Sequence, residues 1–413
     1  MLGRSALFFL LLGIAGCGTA LEGSADGECS DGADNDADGS YDCDDSDCAE
    51  QLECQGDDDD SHGDDDSHGD DDSHGDDDSH GDDDSHGDDD DLKGAVYTGD
   101  LSMYSDAELL WFCESWDQLA GNLLIVGPDV SSLAALSCLT RVEGHLEVQD
   151  TELLDLELPA LERVGGQLWI HDNYYLGGIE LRALERVTGD LRVATQPWLD
   201  ELRLDALREV GGSLQVNSVG SLAQLAVPQL ERIGGGFWLR ELALTEDFDL
   251  GALEEVGAEF WVRDNPVLSG FALATLREVG GELMVSANPA LQGLELQGLR
   301  RVGGLRITSN PVLTGLALPQ LVEMLSLPGS LRISSCPALL NLTLPSLHSI
   351  GDFILIAANE QLSQLQFQVL GFVGGDFYIL DNPALPTAQA EGLRDAVDVA
   401  NIGGQVVISG NAP

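Results

Sequence analysis

Positive charge is scarce in this chain: of 413 residues only 18 are Lys or Arg, against 74 Asp or Glu, for a formal net charge of -56. A protein that grips phosphates needs a basic footprint, so nucleic acid is excluded as a partner. Long apolar runs are also lacking. The stretch Ala6 to Leu12, preceded by Arg4, is too short to span a bilayer and has the form of a signal-peptide core. No later run is long enough to cross, so the rest of the chain is expected to be exported. Catalytic signatures are missing too. There is no G-x-S-x-G and no H-E-x-x-H, and His145, His171 and His348 stand in separate repeats without Asp and Ser at motif spacing. An enzyme is therefore not expected.

What fills the chain is a period of 23 residues, opened by Val187, Val210, Ile233, Val256, Val279 and Val302. One copy reads V-G-G-E-L-M-V-S-A-N-P-A-L-Q-G-L-E-L-Q-G-L-R-R from Val279, and its apolar columns recur in neighbouring copies. A unit this short cannot close a core, whereas stacked units bury one continuous interior. Within a copy the apolar residues alternate, as in Leu168-Trp169-Ile170 and Ile179-Glu180-Leu181, which is the period of strands. A third strand is expected over Leu184 to Val187, before a Gly-rich turn. The fold class is thus all-β, a parallel β-solenoid of three short strands per coil. Eleven or so coils from about Gly121 to Asn411, rising about 4.8 Å each, give a prism roughly 50 to 55 Å long.

One column is polar and interior. Asn173, Asn265, Asn288, Asn310, Asn359 and Asn382 occupy it, positioned to satisfy backbone groups at the turn of the adjoining coil. Cys336 stands in the same column, which makes it a ladder residue and not a reactive thiol. Thr151, Gln196, Val219 and Leu242 interrupt the ladder, so irregular coils are expected between Val187 and Val256. The motif L-P-x-L-x-x-V-G-G-x-L-x-I-x-x-N-P-x-L, as in Leu158 to Leu176, resembles the receptor L-domain family over roughly residues 120 to 413. That resemblance implies a right-handed β-solenoid used for binding, and it supplies no single ligand.

The outward column of the first strand reads Glu147, Trp169, Arg192, Gln215, Trp238, Trp261, Met284, Arg306, Arg332, Leu355 and Tyr378. Three of the six tryptophans stand there, and the next outward positions include His171, Arg240, Arg263 and Asp264. Aromatics flanked by Arg on an exposed sheet are typical of protein-binding hot spots and sugar platforms. Trp169, Arg192, Trp238, Arg240, Trp261, Arg263 and Tyr378 are therefore the candidate ligand-binding residues. The competing reading is a side-chain ladder that only shields the sheet.

The N-terminal part divides into a signal peptide (1–16), a linker (17–28), a Cys- and Asp-rich module (29–56), a D-D-D-S-H-G repeat spacer (57–92) and the solenoid (93–413). Gly13-Ile14-Ala15-Gly16-Cys17 resembles the lipobox of bacterial lipoproteins, which implies lipidation of Cys17 and a membrane contact through the anchor alone. Gly18 after the Cys implies the outer membrane or cell surface. In an oxidising compartment Cys29, Cys43, Cys48 and Cys54 are expected to form two disulfides of undetermined connectivity, and Cys113 with Cys138 a third. Counting from Asp34, carboxylates fall at positions 1, 3, 5, 9 and 12 (Asp34, Asp36, Asp38, Asp42, Asp45), with Gly39 at 6 and the Ser40 carbonyl at 7. This is EF-hand ligand spacing with Asp in place of the final Glu, and it resembles the calcium loops of thrombospondin type 3 repeats. Calcium is the expected cofactor, held weakly, with Kd on the order of 10⁻⁴ to 10⁻³ M. A stapled acidic linker without a site is the alternative.

Between Gly18 and Asp91 there are 33 Asp or Glu and no Lys or Arg, so the spacer is expected to be an extended, disordered acidic stalk. Its five His, from His62 to His86, could bind metal or buffer protons, but the repeat fixes no common face for them. The expected protein is a lipid-anchored surface receptor for a protein or glycan. The alternative is a structural envelope component, with end-to-end stacking if the last coil is uncapped.

Overall fold

The computed structural model of the protein describes residues 94–324 and 329–413. Lipidation at Cys17, the proposed calcium ligands, the Cys29, Cys43, Cys48 and Cys54 disulfides and the acidic spacer all lie outside the described residues. Among the described residues no helix is long and apolar enough to cross a membrane. None of them forms a group of three His, Cys, Asp or Glu placed to hold a metal ion.

The described chain is a parallel β-solenoid of about twelve turns, each of about 23 residues. Each regular coil has a four-residue first strand (Leu168–His171), a three-residue second strand (Gly178–Glu180) and a two-residue third strand (Arg186–Val187). The third strand is thus shorter than the Leu184 to Val187 expected. First strands pair in parallel with their counterparts one coil on, as Leu191–Ala194 does with Leu168–His171 and with Leu214–Asn217, while the second strands form three separate parallel sheets. The stack begins earlier than Gly121, with Val96–Tyr97 and Leu101–Ser105 pairing onto Gln118–Leu119 and Leu123–Asp129. The Cys113–Cys138 disulfide therefore lies within the first coils, where it ties the short helix Phe112–Ser115 to the chain after Ala134–Leu136.

Third and first strands share one sheet, bent at a Gly-rich corner between them; in Glu278–Ser286 they run together as one strand. The corner needs glycine for a steric reason. A Cβ on Gly257 would sit 2.0 Å from the Gly234 carbonyl oxygen, and one on Gly234 2.1 Å from that of Gly211. The interior is a continuous apolar column running from Leu101 to Ile402.

The buried ladder forms as expected. Asn288 Oδ1 accepts from both N and Nδ2 of Asn265 at 3.1 Å, and Asn288 Nδ2 donates to the Val262 carbonyl at 3.0 Å. Asn310, Asn359 and Asn382 repeat the arrangement, and Asn411 extends it by one coil beyond the residues read from the sequence. Cys336 is fully buried in this column: its N–H donates to Asn359 Oδ1 at 3.1 Å, and burial pushes its thiol pKa up. Gln196 sits in the column with both side-chain polar atoms unpaired.

The irregularity expected between Val187 and Val256 is confined to the second strands. Their sheet stops after Gln224–Ala226 and resumes at Gly270–Ala272, leaving one isolated bridge, Ala226 to Asp249, in the intervening coil. The first strands run through this region in unbroken register. Phe248 fills the gap, stacked on Phe271 at 4.8 Å, while Phe237 stacks on Phe260 at 4.7 Å. Four phenylalanines thus pack where other coils hold mostly Leu.

Each ladder residue from Thr151 to Asn382 follows a non-glycine residue in the left-handed region, from Asp150 (φ 53°) to Asp381 (φ 54°), and Asn411 follows Gly410 (φ 70°). This turn swings the chain so that the next side chain points inward. Thr195 (φ 55°) is the β-branched member of the series, and its side chain is exposed. The left-handed conformation costs a residue with a Cβ roughly 1–2 kcal/mol. Replacing Thr195 with Gly is expected to stabilise the chain by about 1 kcal/mol, offset in part by unfolded-state entropy. Chemical denaturation checks this, and a lower midpoint would show that the turn is not strained.

Two further findings depart from the sequence expectation. The third-strand face carries inter-coil ion pairs: Arg186–Glu209 at 2.5 Å, Arg208–Glu231 at 3.0 Å, Arg232–Glu255 at 3.1 Å and Arg277–Glu254 at 3.2 Å. Exposed pairs contribute little stability each, so their effect is to match neighbouring coils. The last coils are also not built of strands alone. Helix Thr387–Val397 buries Ala390, Leu393 and Val397, and Gln389 bonds the main chain of Ser363 and Leu365 beside the final second strand. The helix thereby covers the end of the second-strand stack, while Val406–Ser409 is the last strand of the long sheet among the described residues.

Candidate functional site

Strands Phe237–Arg240 and Phe260–Arg263 carry the same pattern, Phe-Trp-apolar-Arg, on adjacent coils in exact lateral register, with Trp238 opposite Trp261 and Arg240 opposite Arg263. Strand alternation sends Phe237 and Leu239, Phe260 and Val262 inward and leaves Trp and Arg on the outer face. The indoles lie 5.9 Å apart at a 35° interplanar angle. Together with Gln215, Asn217 and Leu239 these four side chains line a shallow depression of about 220 Å³. Trp238 folds back along its own strand: a Cβ on Gly236 would lie 3.1 Å from its Nε1 and 3.2 Å from Cε2. The Phe237–Phe260 stack lies directly beneath, on the interior side of the same strands.

The two indole N–H groups are buried and have no acceptor among the described residues. A buried donor left unpaired costs about 1–3 kcal/mol, so these indoles are poorly placed as stabilising ladder residues. That weighs against a purely shielding role.

Arginine partners separate this place from the rest of the face. Arg192 is held by Asp190 at 2.5 Å and Arg306 by Glu282 at 2.8 Å, so each is locally neutralised. Arg332 lies over the Phe353 ring, 5.4 Å from its centroid. Arg240 has no ion pair among the described residues, and Arg263 reaches Asp264 only at 3.8 Å, beyond hydrogen-bond distance.

The other candidates lie elsewhere. Trp169 is three coils from Trp238 in the register, roughly 14 Å away. His171, expected to face outward, is instead only 8% exposed. Trp169 stacks on its ring at 4.0 Å, while Glu147 and Asp172 take its two ring nitrogens at 3.0 and 2.8 Å. Tyr378, five coils beyond Trp261, donates its hydroxyl to Asp376 at 2.8 Å, and that hydrogen bond raises the phenol pKa. Of the seven candidate binding residues, Trp238, Arg240, Trp261 and Arg263 form one site; Trp169, Arg192 and Tyr378 do not join it. Gln215 and Asn217 complete it. Their signal was available in the sequence, as the residues one repeat before Trp238 and Arg240.

No family model, no curated protein and no solved structure matches the chain.

Proposed function

We propose that the protein is a lipid-anchored surface recognition protein that binds a protein or glycan at the Trp238–Trp261 depression. The observation that carries this reading is the pairing of two partly buried indoles with two arginines that lack a firm counter-ion among the described residues. Aromatic and Arg side chains in a partly desolvated recess are the groups that dominate binding energy at interfaces. In this reading Cys17 bears the lipid, residues 29–56 hold calcium, and the acidic spacer of residues 57–92 sets the solenoid away from the membrane. Fully stretched, such a spacer reaches about 120 Å. The alternative is a stacking envelope scaffold; helix Thr387–Val397 covers the second-strand stack, which leaves Val406–Ser409 as the strand through which copies would pair end to end.

The test is capture from envelope extracts and on a glycan array by the full chain, beside the variant carrying Trp238→Ala and Trp261→Ala. The wild-type chain is expected to capture a partner that the variant loses by tenfold or more. Equal capture by both moves the function away from this depression. Calcium has its own measurement. Calorimetric titration of the full chain is expected to show a weak event that disappears in Asp36→Ala; a heat unchanged by that substitution sinks the assignment.

A further inference from the structure

Resting on that reading, we infer that the depression takes an acidic sugar: one pyranose ring on the indoles, with its carboxylate held between Arg240 and Arg263. The size of the recess is the first argument. About 220 Å³ lined by seven residues accommodates a single ring rather than a peptide segment or a protein loop. Its chemistry is the second. Flat indole surface meets the apolar face of a sugar ring, and the Gln215 and Asn217 side-chain amides, on the preceding strand, offer donors and acceptors to its hydroxyls.

Charge supplies the third argument. Among the described residues, twelve arginines have a carboxylate within 4.0 Å, and Arg163, Arg240, Arg300 and Arg332 have none. Arg300 lies on the third-strand face among Glu254, Glu255, Glu278 and Glu323, and Arg332 is engaged by Phe353. Arg240 alone of the four lines the aromatic depression, and its lateral partner Arg263 has a buried, unpaired Nε. Neighbouring strands lie about 4.8 Å apart, so the two guanidinium groups can flank one carboxylate and each donate to one of its oxygens. Both stay charged across the whole working pH range.

A peptide ligand is disfavoured by topology. An extended peptide is held by main-chain hydrogen bonds at a free strand edge. Here both edges of Phe237–Arg240 and of Phe260–Arg263 are already occupied by adjoining coils. What the site offers is the face of a sheet, which presents side chains only.

The experiment titrates the full chain with three probes: oligogalacturonate, the matching neutral oligogalactan and poly-glutamate. Oligogalacturonate is expected to bind at least tenfold more tightly than the neutral oligomer and to weaken as salt is raised. Arg240→Gln and Arg263→Gln should each reduce its affinity about tenfold or more and weaken the neutral oligomer by a much smaller factor. Arg240→Lys, which keeps the charge but loses the fork, should fall between. Circular dichroism melts of each variant confirm that the fold is intact. Equal affinity for the acidic and neutral oligomers, or Arg variants without effect, overturns the carboxylate clamp while leaving recognition at the indoles standing. Binding of poly-glutamate without either sugar shows a peptide occupant and overturns the sugar. If Trp238→Ala with Trp261→Ala changes no binding of any kind, the site itself fails, which separates the two conclusions.

Discussion

Replacing Asn288 with Ala is expected to destabilise the solenoid by on the order of 3 kcal/mol or more. Asn288 is fully buried and serves three groups: it accepts from the N and Nδ2 of Asn265 and donates to the Val262 carbonyl. Truncation leaves the Asn265 N–H and the Val262 carbonyl without this partner in an apolar interior, at about 1–3 kcal/mol for each group, while Asn265 Nδ2 keeps the Leu239 carbonyl at 3.3 Å. In a linear array stability is a sum of coil and nearest-neighbour terms, so a weakened coil also weakens both junctions it makes. Denaturant unfolding of the full chain reads the loss. A change below 1 kcal/mol would mean that the column is not a stability element. Leu242 qualifies the expectation: an apolar residue stands in the column there, and its own N–H still donates to Asn265 Oδ1 at 3.1 Å. The column therefore accepts an apolar residue where the adjoining coils already provide for its main chain.

Phe260→Ala is expected to cost roughly 3–5 kcal/mol, the range for large aromatic truncations in a packed core. Phe260 is fully buried, stacked on Phe237 at 4.7 Å and tilted against Phe271 at 6.4 Å. The cavity would open in the coils where Phe248 replaces a second strand, so few main-chain bonds remain to hold their shape. It would also lie beneath Trp261, and ligand capture is expected to fall with stability. Phe260→Leu should recover most of the loss, since Leu214 and Leu283 occupy the same position in neighbouring coils. Denaturation midpoints of the two variants check this; an equal loss in both would show that the aromatic stack itself, and not volume, is what the coil needs.

The fold was legible because its period is long-lived and its strands alternate, and the Asn column was legible because one residue type repeats. The left-handed turn before each ladder residue was not. Asp, Thr, Ser, Glu and Ala all occupy it, so no single residue type marks the position. The ion-pair ladder escaped notice for a related reason. Arg and Glu exchange places between coils, as at Arg186 and Glu209, and only lateral register reveals the complement. Helix Thr387–Val397 was missed because the repeat pattern was extended through a segment that breaks it.

At the candidate site the sequence supplied the aromatic column but not its selection. Arg192 and Arg306 look equivalent to Arg240 in sequence, yet Asp190 and Glu282 neutralise them from within their own coil or the coil before. His171 stands in the outward phase of its strand, and the Trp169 ring covers it. Neither outcome follows from strand periodicity, because both depend on which long side chain folds over which neighbour.

Recognition at this face requires the indole pair to be a binding surface and not a packing ladder. The most direct measurement is the melting temperature of the Trp238→Ala, Trp261→Ala variant, taken on the same preparation as its ligand capture. With both indole N–H groups unpaired in the folded state, the melting temperature is expected to stay close to that of the wild-type chain while capture is lost. A melting temperature lower by many degrees with capture intact would contradict the account and make the column a structural one.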